Sequence, residues 1–338
     1  MDEIIFQKLL ILRTNRIGPA KYNELLSQFK VPAAANEFLN HSDDHIDSVK
    51  REIDHAARAG IIYIDNESEY YPENLKAVRG HPPVISVRGN PETLKRPAVA
   101  IVGTRHATGA GMRFVKDMAR EFATNGYTVV SGMAMGTDTA AHTGALASAG
   151  NHNTIAVLAG GADYIWPLEN EKLYSEIIER GCVISEMPFG TKPIANNFIQ
   201  RNRWIAGLGE KLILGEADEK SGSMATAGFA IEYNRPIYAI PSHPSDLRSQ
   251  GPNRLIKNGD AILCMGAEDF FEIKKSNNKK SEIRNYKSEI MDRIGNIPIA
   301  ESVLAELVKK TVADVRRELV MLELAGLVRK TDGGYVKV

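Results

Sequence analysis

Two hydrophobic periodicities divide the chain. At its start, apolar residues fall at helical spacing, with Ile5, Leu9 and Leu12 on one face and Leu25, Leu26 and Phe29 on the next. The run Arg16-Ile17-Gly18-Pro19 separates the two helices, since proline opens a helix without needing a backbone donor. A short strand at Gly60-Ile61-Ile62-Tyr63-Ile64 and the stretch His81-Pro82-Pro83 lead to a different pattern. From about 97 to 270, apolar runs recur, each followed by a glycine turn and a helical segment. They are AVAIVG (98–103), YTVVSG (127–132), TIAVLAGG (154–161), CVISE (182–186), KLILGEA (211–217), PIYAIP (236–241) and AILCM (261–265). Strands that are apolar throughout are buried on both faces, and their alternation with helices predicts a doubly wound parallel sheet of Rossmann-like type.

The remainder is a linker and a third unit. Residues 273–288 are polar and Lys-rich, as linkers are. After them, Ala300 to Lys309 and Val312 to Leu324 carry apolar residues at helical spacing. Leu327-Val328-Arg329 and Tyr335-Val336-Lys337-Val338 then flank an Asp332-Gly333-Gly334 turn. Helix, turn, helix and hairpin make a winged-helix pattern. The expected organisation is an α-rich domain at 1–90, the α/β core at 91–272, the linker, and the winged-helix-like domain at 289–338.

Composition narrows the class of protein. With 338 residues, 43% of them hydrophobic, the chain can bury a large core. Basic and acidic residues balance at 42 each, so a nucleic-acid site must come from local placement of charge rather than an overall positive field. Cys182 and Cys264 lie in apolar runs far apart, which reads as buried thiols in a reducing compartment. Gln7 and Lys8 interrupt the first apolar stretch, which reads as a helix and not a signal peptide. No stretch approaches the roughly 20 apolar residues that span a bilayer. The expectation is a soluble cytoplasmic protein with no membrane partner.

In an open parallel sheet, ligands sit beyond the carboxyl ends of the strands, where the strand order reverses. Three turns there carry candidate chemistry. The first is Gly103-Thr104-Arg105-His106-Ala107-Thr108-Gly109-Ala110-Gly111. Its helix start offers N–H groups to an anion, and Arg105 adds a fixed fork for phosphate, although glycines in such a turn often serve only to turn the chain. The second, Ser131-Gly132-Met133-Ala134-Met135-Gly136-Thr137-Asp138, again aims a helix start at the crevice. Thr137 or Asp138 reads as its cap, and His142, four residues after Asp138, as a hydrogen-bond partner in either a structural or an acid–base pair. The third, Phe198-Ile199-Gln200-Arg201-Asn202-Arg203-Trp204, places arginines beside aromatic rings. That suits a phosphate track next to a stacking platform on Phe198 or Trp204, or else a solvated basic helix face. Lys211 follows, then Ser221-Gly222-Ser223, a helix start suited to backbone anion contacts.

Catalytic patterns are thin. The first turn lacks the GxGxxG spacing, and no carboxylate closes the second strand to hold a ribose, so no dinucleotide cofactor is expected. No HExxH, CxxC, P-loop or GxSxG occurs, and the histidines form no metal-ligand set. Asp138, Glu186, Glu216 and Glu232 are the carboxylates that keep a hydrolase reading open.

Taken together, these segments resemble the DNA-processing protein A family, DprA, also called Smf. The resemblance rests on AIVGTR (100–105), SGMAMGTDTAAH (131–142), TIAVLAGGADYIWP (154–167), ISEMPFG (184–190), FIQRNRWIAGL (198–208), EADEKSGSMATA (216–227), RPIYAIP (235–241) and GPNRLIKNGDAIL (251–263). The flanking parts resemble that family's sterile-alpha-motif-like and winged-helix-like domains. The resemblance implies a dimeric, non-enzymatic single-stranded DNA binder that protects incoming strands and loads the recombinase RecA during natural transformation. It implies DNA contacts at Gly103, Thr104, Arg105, Ser131, Gly132, Arg201, Asn202, Arg203, Lys211, Ser221, Gly222 and Ser223, to which the residue reading adds Phe198. Met135 stands where the family usually has arginine, Ser242 to Ser249 replace a glycine-rich turn, and Trp166-Pro167 replaces Tyr-Pro. The winged-helix part reads either as a duplex-DNA contact or as a protein-interaction module. The rival is a nucleoside-monophosphate hydrolase of related fold, whose PGGxGT turn is not matched by Ala159-Gly160-Gly161-Ala162-Asp163. The whole reading requires Arg105, Arg203 and Lys211 to share one rim of the sheet with the helix starts.

Overall fold

The computed structural model describes residues 2–271, 289–295, 297–324 and 327–337. The chain forms two compact units, Met1–Ala267 and Glu268–Val338. The expected linker at 273–288 lies outside the described residues.

The first unit opens with four helices, α1 (Glu3–Leu12), α2 (Pro19–Phe29), α3 (Pro32–Leu39) and α4 (Asp43–Arg58). Two apolar clusters hold them, one around Ile5, Leu9, Leu10 and Val49, the other around Ile11, Tyr22, Leu25 and Ala35. Next come β1 (Ile61–Asp65), the single turn α5 (Glu73–Lys76) and β2 (Val84–Gly89). These strands belong to the central sheet, with β2 pairing antiparallel to both β1 and a core strand. The sheet therefore begins thirty residues before the expected boundary at 91. Buried Lys8 on α1 bonds Asp65 of β1 at 2.8 Å, and Arg13, at the α1 C-terminus, is bound to Glu52 of α4 at 2.7 Å, so the helices are locked to the sheet.

The core alternates strand and helix: β3 (Ala98–Val102), α6 (Gly109–Thr124), β4 (Thr128–Ser131), α7 (Thr137–Leu146), β5 (Thr154–Val157), α8 (Glu171–Arg180) and β6 (Cys182–Ser185). It continues with α9 (Ala195–Leu208), β7 (Lys211–Leu214), α10 (Gly222–Glu232), β8 (Ile237–Ala239), α11 (Gln250–Asn258) and β9 (Ile262–Leu263). Strand order is β1-β2-β6-β5-β4-β3-β7-β8-β9, parallel from β6 to β9. Each apolar run predicted as a core strand is one. Their side chains serve two cores: Ala156 and Val183 pack with Leu173 and Ile177 of α8, while Ile155, Val157 and Ile184 pack with Trp204, Ile205 and Leu208 of α9. Helices on both faces confirm the doubly wound class.

The second unit contains α12 (Glu301–Val308), α13 (Val312–Leu324) and the hairpin β10 (Val328–Thr331) and β11 (Gly334–Lys337). Leu304, Val315, Leu319, Val328 and Tyr335 form its own core. Among the described residues, no helix is long and apolar enough to cross a membrane.

Candidate functional site

The chain runs outward from β3 in both directions, and the strand order reverses between β3 and β7. There the loop after β3 opens into a cleft of about 280 Å³, lined by Gly103, Thr104, Arg105, Phe198, Arg201, Asn202, Ser221, Gly222 and Ser223. Three segments distant in sequence thus meet here: the loop after β3, the first half of α9 and the start of α10.

Arg105 is exposed, and its guanidinium carbon lies 5.1 Å from the ring of Trp166 and 5.3 Å from that of Phe198. The two rings meet edge to face, with centroids 4.7 Å apart. They form a half-buried aromatic shelf topped by a cation, a surface on which a nucleobase can stack. Trp166 is the site residue that the motif reading passed over. The Trp-Pro departure was its only signal, since the chain reaches it through the long β5–α8 connection and not through a strand-end turn.

Across the cleft, α10 begins at Gly222. Its first N–H groups, those of Gly222 and Ser223, make no hydrogen bond among the described residues. The buried Ser221 hydroxyl beside them also lacks a partner there. Ser223 Oγ donates to Gly103 O at 2.6 Å and Asn202 Nδ2 to Gly222 O at 3.2 Å, which fixes this helix start against the β3 loop and α9. Donors aimed at open space at the positive end of a helix suit a phosphate oxygen.

The start of α6 behaves otherwise. It was expected to offer N–H groups to an anion, but the Glu216 carboxylate is already there. It accepts from Thr108 N at 2.7 Å and Thr108 Oγ1 at 2.5 Å, while Thr108 Oγ1 caps Gly111 N at 2.9 Å. A second hollow of about 410 Å³ on this side of the loop is lined by Phe114, Ile240, Pro241 and Met265, with Glu216 and Asp246. It is the larger of the two, and of its two carboxylates Asp246 is paired with Arg248 at 2.8 Å while Glu216 is held by Thr108.

Beneath the cleft, Arg201 is 5% exposed. Its Nη1 donates to Gly132 O at 2.6 Å and to Val157 O, and its Nε to Asn202 Oδ1 at 3.2 Å. Burial lowers its pKa to about 10, although the nearby Asp138 carboxyl acts to raise it. Burial also raises the Asp138 pKa, a shift opposed by Arg201 and by the N–H groups of Ala134 and Gly132, at 3.3 and 3.2 Å. Gly132 is required here: a Cβ on it would lie 2.6 Å from the Arg201 guanidinium carbon. The neighbouring Ser131 is wholly buried, its hydroxyl donating to Ile101 O at 2.7 Å. Ser131 and Gly132 therefore form the floor of the site and do not line its opening.

Several expectations are corrected. Arg203 points away from the cleft, 4.0 Å over the Trp204 ring and 3.7 Å from Glu186, because it stands on another face of α9 from Phe198 and Asn202. Lys211 is the first residue of β7, whereas the cleft lies beyond its last. At about 3.3 Å of rise per residue, three residues carry it about 10 Å towards the opposite sheet edge, where its Nζ lies 3.2 Å from Tyr238 OH. Arg105, Arg203 and Lys211 thus do not share one rim, and the reading fails in the form that required it: at the cleft only Arg105 remains of the three, beside the start of α10. Trp204 is 2% exposed and belongs to the core, so it is no stacking platform. Asp138 neither caps α7 nor pairs with His142. The His142 ring instead meets Thr154 Oγ1 at 2.6 Å, and burial with Arg201 nearby lowers its pKa to about 3. Glu186 is buried against Arg203.

Comparison with known proteins places this geometry. The family described as DNA recombination-mediator protein A matches residues 62–275, and the DprA winged helix domain matches residues 286–334. Protein Smf of Escherichia coli is 33% identical over 290 residues, covering 81% of this chain and 77% of its own. The crystal structure of DNA processing protein A from Streptococcus pneumoniae aligns at a TM-score of 0.64 with 30% identity, over 80% of this chain and 93% of that one. DNA processing protein A from Helicobacter pylori, whose structure was described for its single-stranded DNA binding mode, aligns at 0.58 with 31% identity, over 64% and 96%.

Proposed function

The chain belongs to the DNA recombination-mediator protein A family, and from that premise we propose that it binds single-stranded DNA in the cleft between the β3 loop, α9 and the start of α10. One observation carries the reading: an exposed cation over an aromatic shelf faces a helix start with free donors. The shelf takes the face of an unstacked base, which a duplex keeps paired and stacked. The free donors of Gly222 and Ser223 take a phosphate oxygen, and Arg105 a second phosphate. None of these groups reads a base edge, so binding is independent of sequence.

The site is a binder and not a catalyst. The rival hydrolase's PGGxGT turn has no counterpart at Ala159-Gly160-Gly161-Ala162-Asp163, and Glu216 is already bound at the N-cap of α6. The H. pylori relative's single-stranded DNA binding mode supports the choice of ligand. In the cell, the protein acts as a cytoplasmic homodimer that protects incoming single strands and loads RecA onto them during natural transformation. Arg203 and Lys211, placed elsewhere, take no part in the cleft.

The test is Arg105→Ala, titrated with labelled oligothymidylate at several salt concentrations. Affinity falls about tenfold, equivalent to ~1.4 kcal/mol, alike for all sequences, and the single-strand log–log salt slope drops by about 0.7. Wild-type affinity with an unchanged slope would remove Arg105, and with it this cleft, from the binding site.

A further inference from the structure

We propose that Arg201 is a positioning residue: its buried guanidinium ties α9 to the carboxyl ends of β4 and β5, and so sets the Trp166–Phe198 shelf beneath Arg105, without itself contacting the DNA backbone. The proposal rests on the cleft being the single-stranded DNA site.

The two arginines of the cleft are differently employed. Arg105 is exposed and stacked on rings. Arg201 is 5% exposed, with Nη1 given to the carbonyls of Gly132 and Val157 and Nε to Asn202. Gly132 directly follows β4, and Val157 is the last residue of β5. One side chain therefore joins two strand ends to the helix that carries it. Both halves of the shelf depend on those anchors. The segment leading to Trp166 leaves the sheet at Val157, and Phe198 stands three residues before Arg201 on α9, its ring 5.9 Å from the guanidinium.

The charge of Arg201 is also answered within the protein. Asp138 lies near enough to favour the charged guanidinium against its burial, and its Oδ2 accepts from the N–H groups of Gly132 and Ala134. A phosphate that reached Nη1 would have to displace two carbonyls, and a half-satisfied buried network is costly. Gly132 is the third part of the device, because any side chain there would enter the space the guanidinium occupies.

Two variants test this while keeping the fold measurable. Gly132→Ala pushes the guanidinium aside with every charge retained. Arg201→Met combined with Asp138→Asn removes the tie and leaves no lone buried charge. Both are expected to bind oligothymidylate about tenfold more weakly with the wild-type salt slope, whereas Arg105→Ala loses about 0.7 of slope. Adding Gly132→Ala to the Arg201→Met/Asp138→Asn protein costs no further affinity, since the two act through one interaction. A second readout needs no DNA. The chain has 2 tryptophans, so Trp204→Phe leaves Trp166 as the sole reporter, and Gly132→Ala should make it more accessible to iodide quenching. A slope loss of about 0.7 in the Arg201 variant would make it a phosphate contact and overturn the proposal. So would wild-type affinity in a variant whose Tm has fallen, which would leave Arg201 merely structural. Wild-type protein that fails to bind single strands would remove the reading of the cleft, while Trp166 quenching would still report on the tie.

Discussion

His142 shows how burial fixes the chemistry of a single residue. Thr154 Oγ1 donates to Val129 O at 2.8 Å, so it accepts from His142 Nδ1 and the ring is neutral with its proton on that nitrogen. The folded pKa of about 3 lies below the ordinary 6.5. The unfolded chain therefore takes up a proton between these values that the folded protein refuses. The resulting stability is fully present above pH 6.5 and is lost as the pH falls towards 3, at about 1.4 kcal/mol per unit. His142→Gln should flatten this part of the pH dependence, as measured by urea unfolding at pH 7, 5 and 4. An identical fall in variant and wild type would refute it. From the sequence, the spacing of Asp138 and His142 on one helix suggested a pair. Spacing gives a shared face but not the competitors, and here the N–H groups of Gly132 and Ala134 claim Asp138 while Thr154 claims His142. The same limit applied to the basic residues. Arg105 was legible because a loop arginine at a strand end has few places to go. Arg203 and Lys211 lie within regular elements, where the direction of a helix face or strand end decides their surroundings.

Regular elements were more legible than their order. Every core strand was marked by an apolar run, because burial on both faces leaves no polar position to confuse the period. The strand β2 was missed: VISVRG is short, follows two prolines, and joins the core only through its antiparallel pairing with β6, nearly a hundred residues away, with β1 on its other side. The start of α6 was recognised as an anion site, but the anion proved to be the protein's own Glu216, reaching over from the end of β7. This repeats the logic of a capping box, with the acid supplied from another strand. Glu216→Ala should destabilise the protein by about 2 kcal/mol, the loss of two hydrogen bonds to a charged acceptor. It should also expose the vacated helix start to anions, so that sulfate raises the Tm of the variant more than that of wild type. Equal sulfate responses would show that the carboxylate is not what fills this seat.

Across the whole molecule, the two units place charge in different ways. The first exposes Arg105 at the cleft beyond β3. The second sets α13 where a helix-turn-helix places its recognition helix, but that helix carries Asp314, Glu318 and Glu323 against Arg316 and Arg317. Its cations are answered locally, Arg316 by Glu301 at 2.7 Å and Arg317 by Asp314 at 2.6 Å, and Lys310 in the turn before it pairs with Glu318 at 3.1 Å. Exposed pairs of this kind add little stability, but they leave the helix more acidic than basic. An acidic helix laid in a major groove faces phosphates that repel it. Of the two readings left open for this part, the duplex contact is therefore disfavoured at α13. A chain ending at residue 271 should bind single-stranded oligonucleotides as tightly as the full chain, and the full chain should gain no affinity for the matching duplex. Titrating both proteins with both ligands measures this. A fall of about tenfold or more in duplex affinity on truncation would return the duplex contact to the C-terminal unit, through the basic residues of its hairpin and not through its helix.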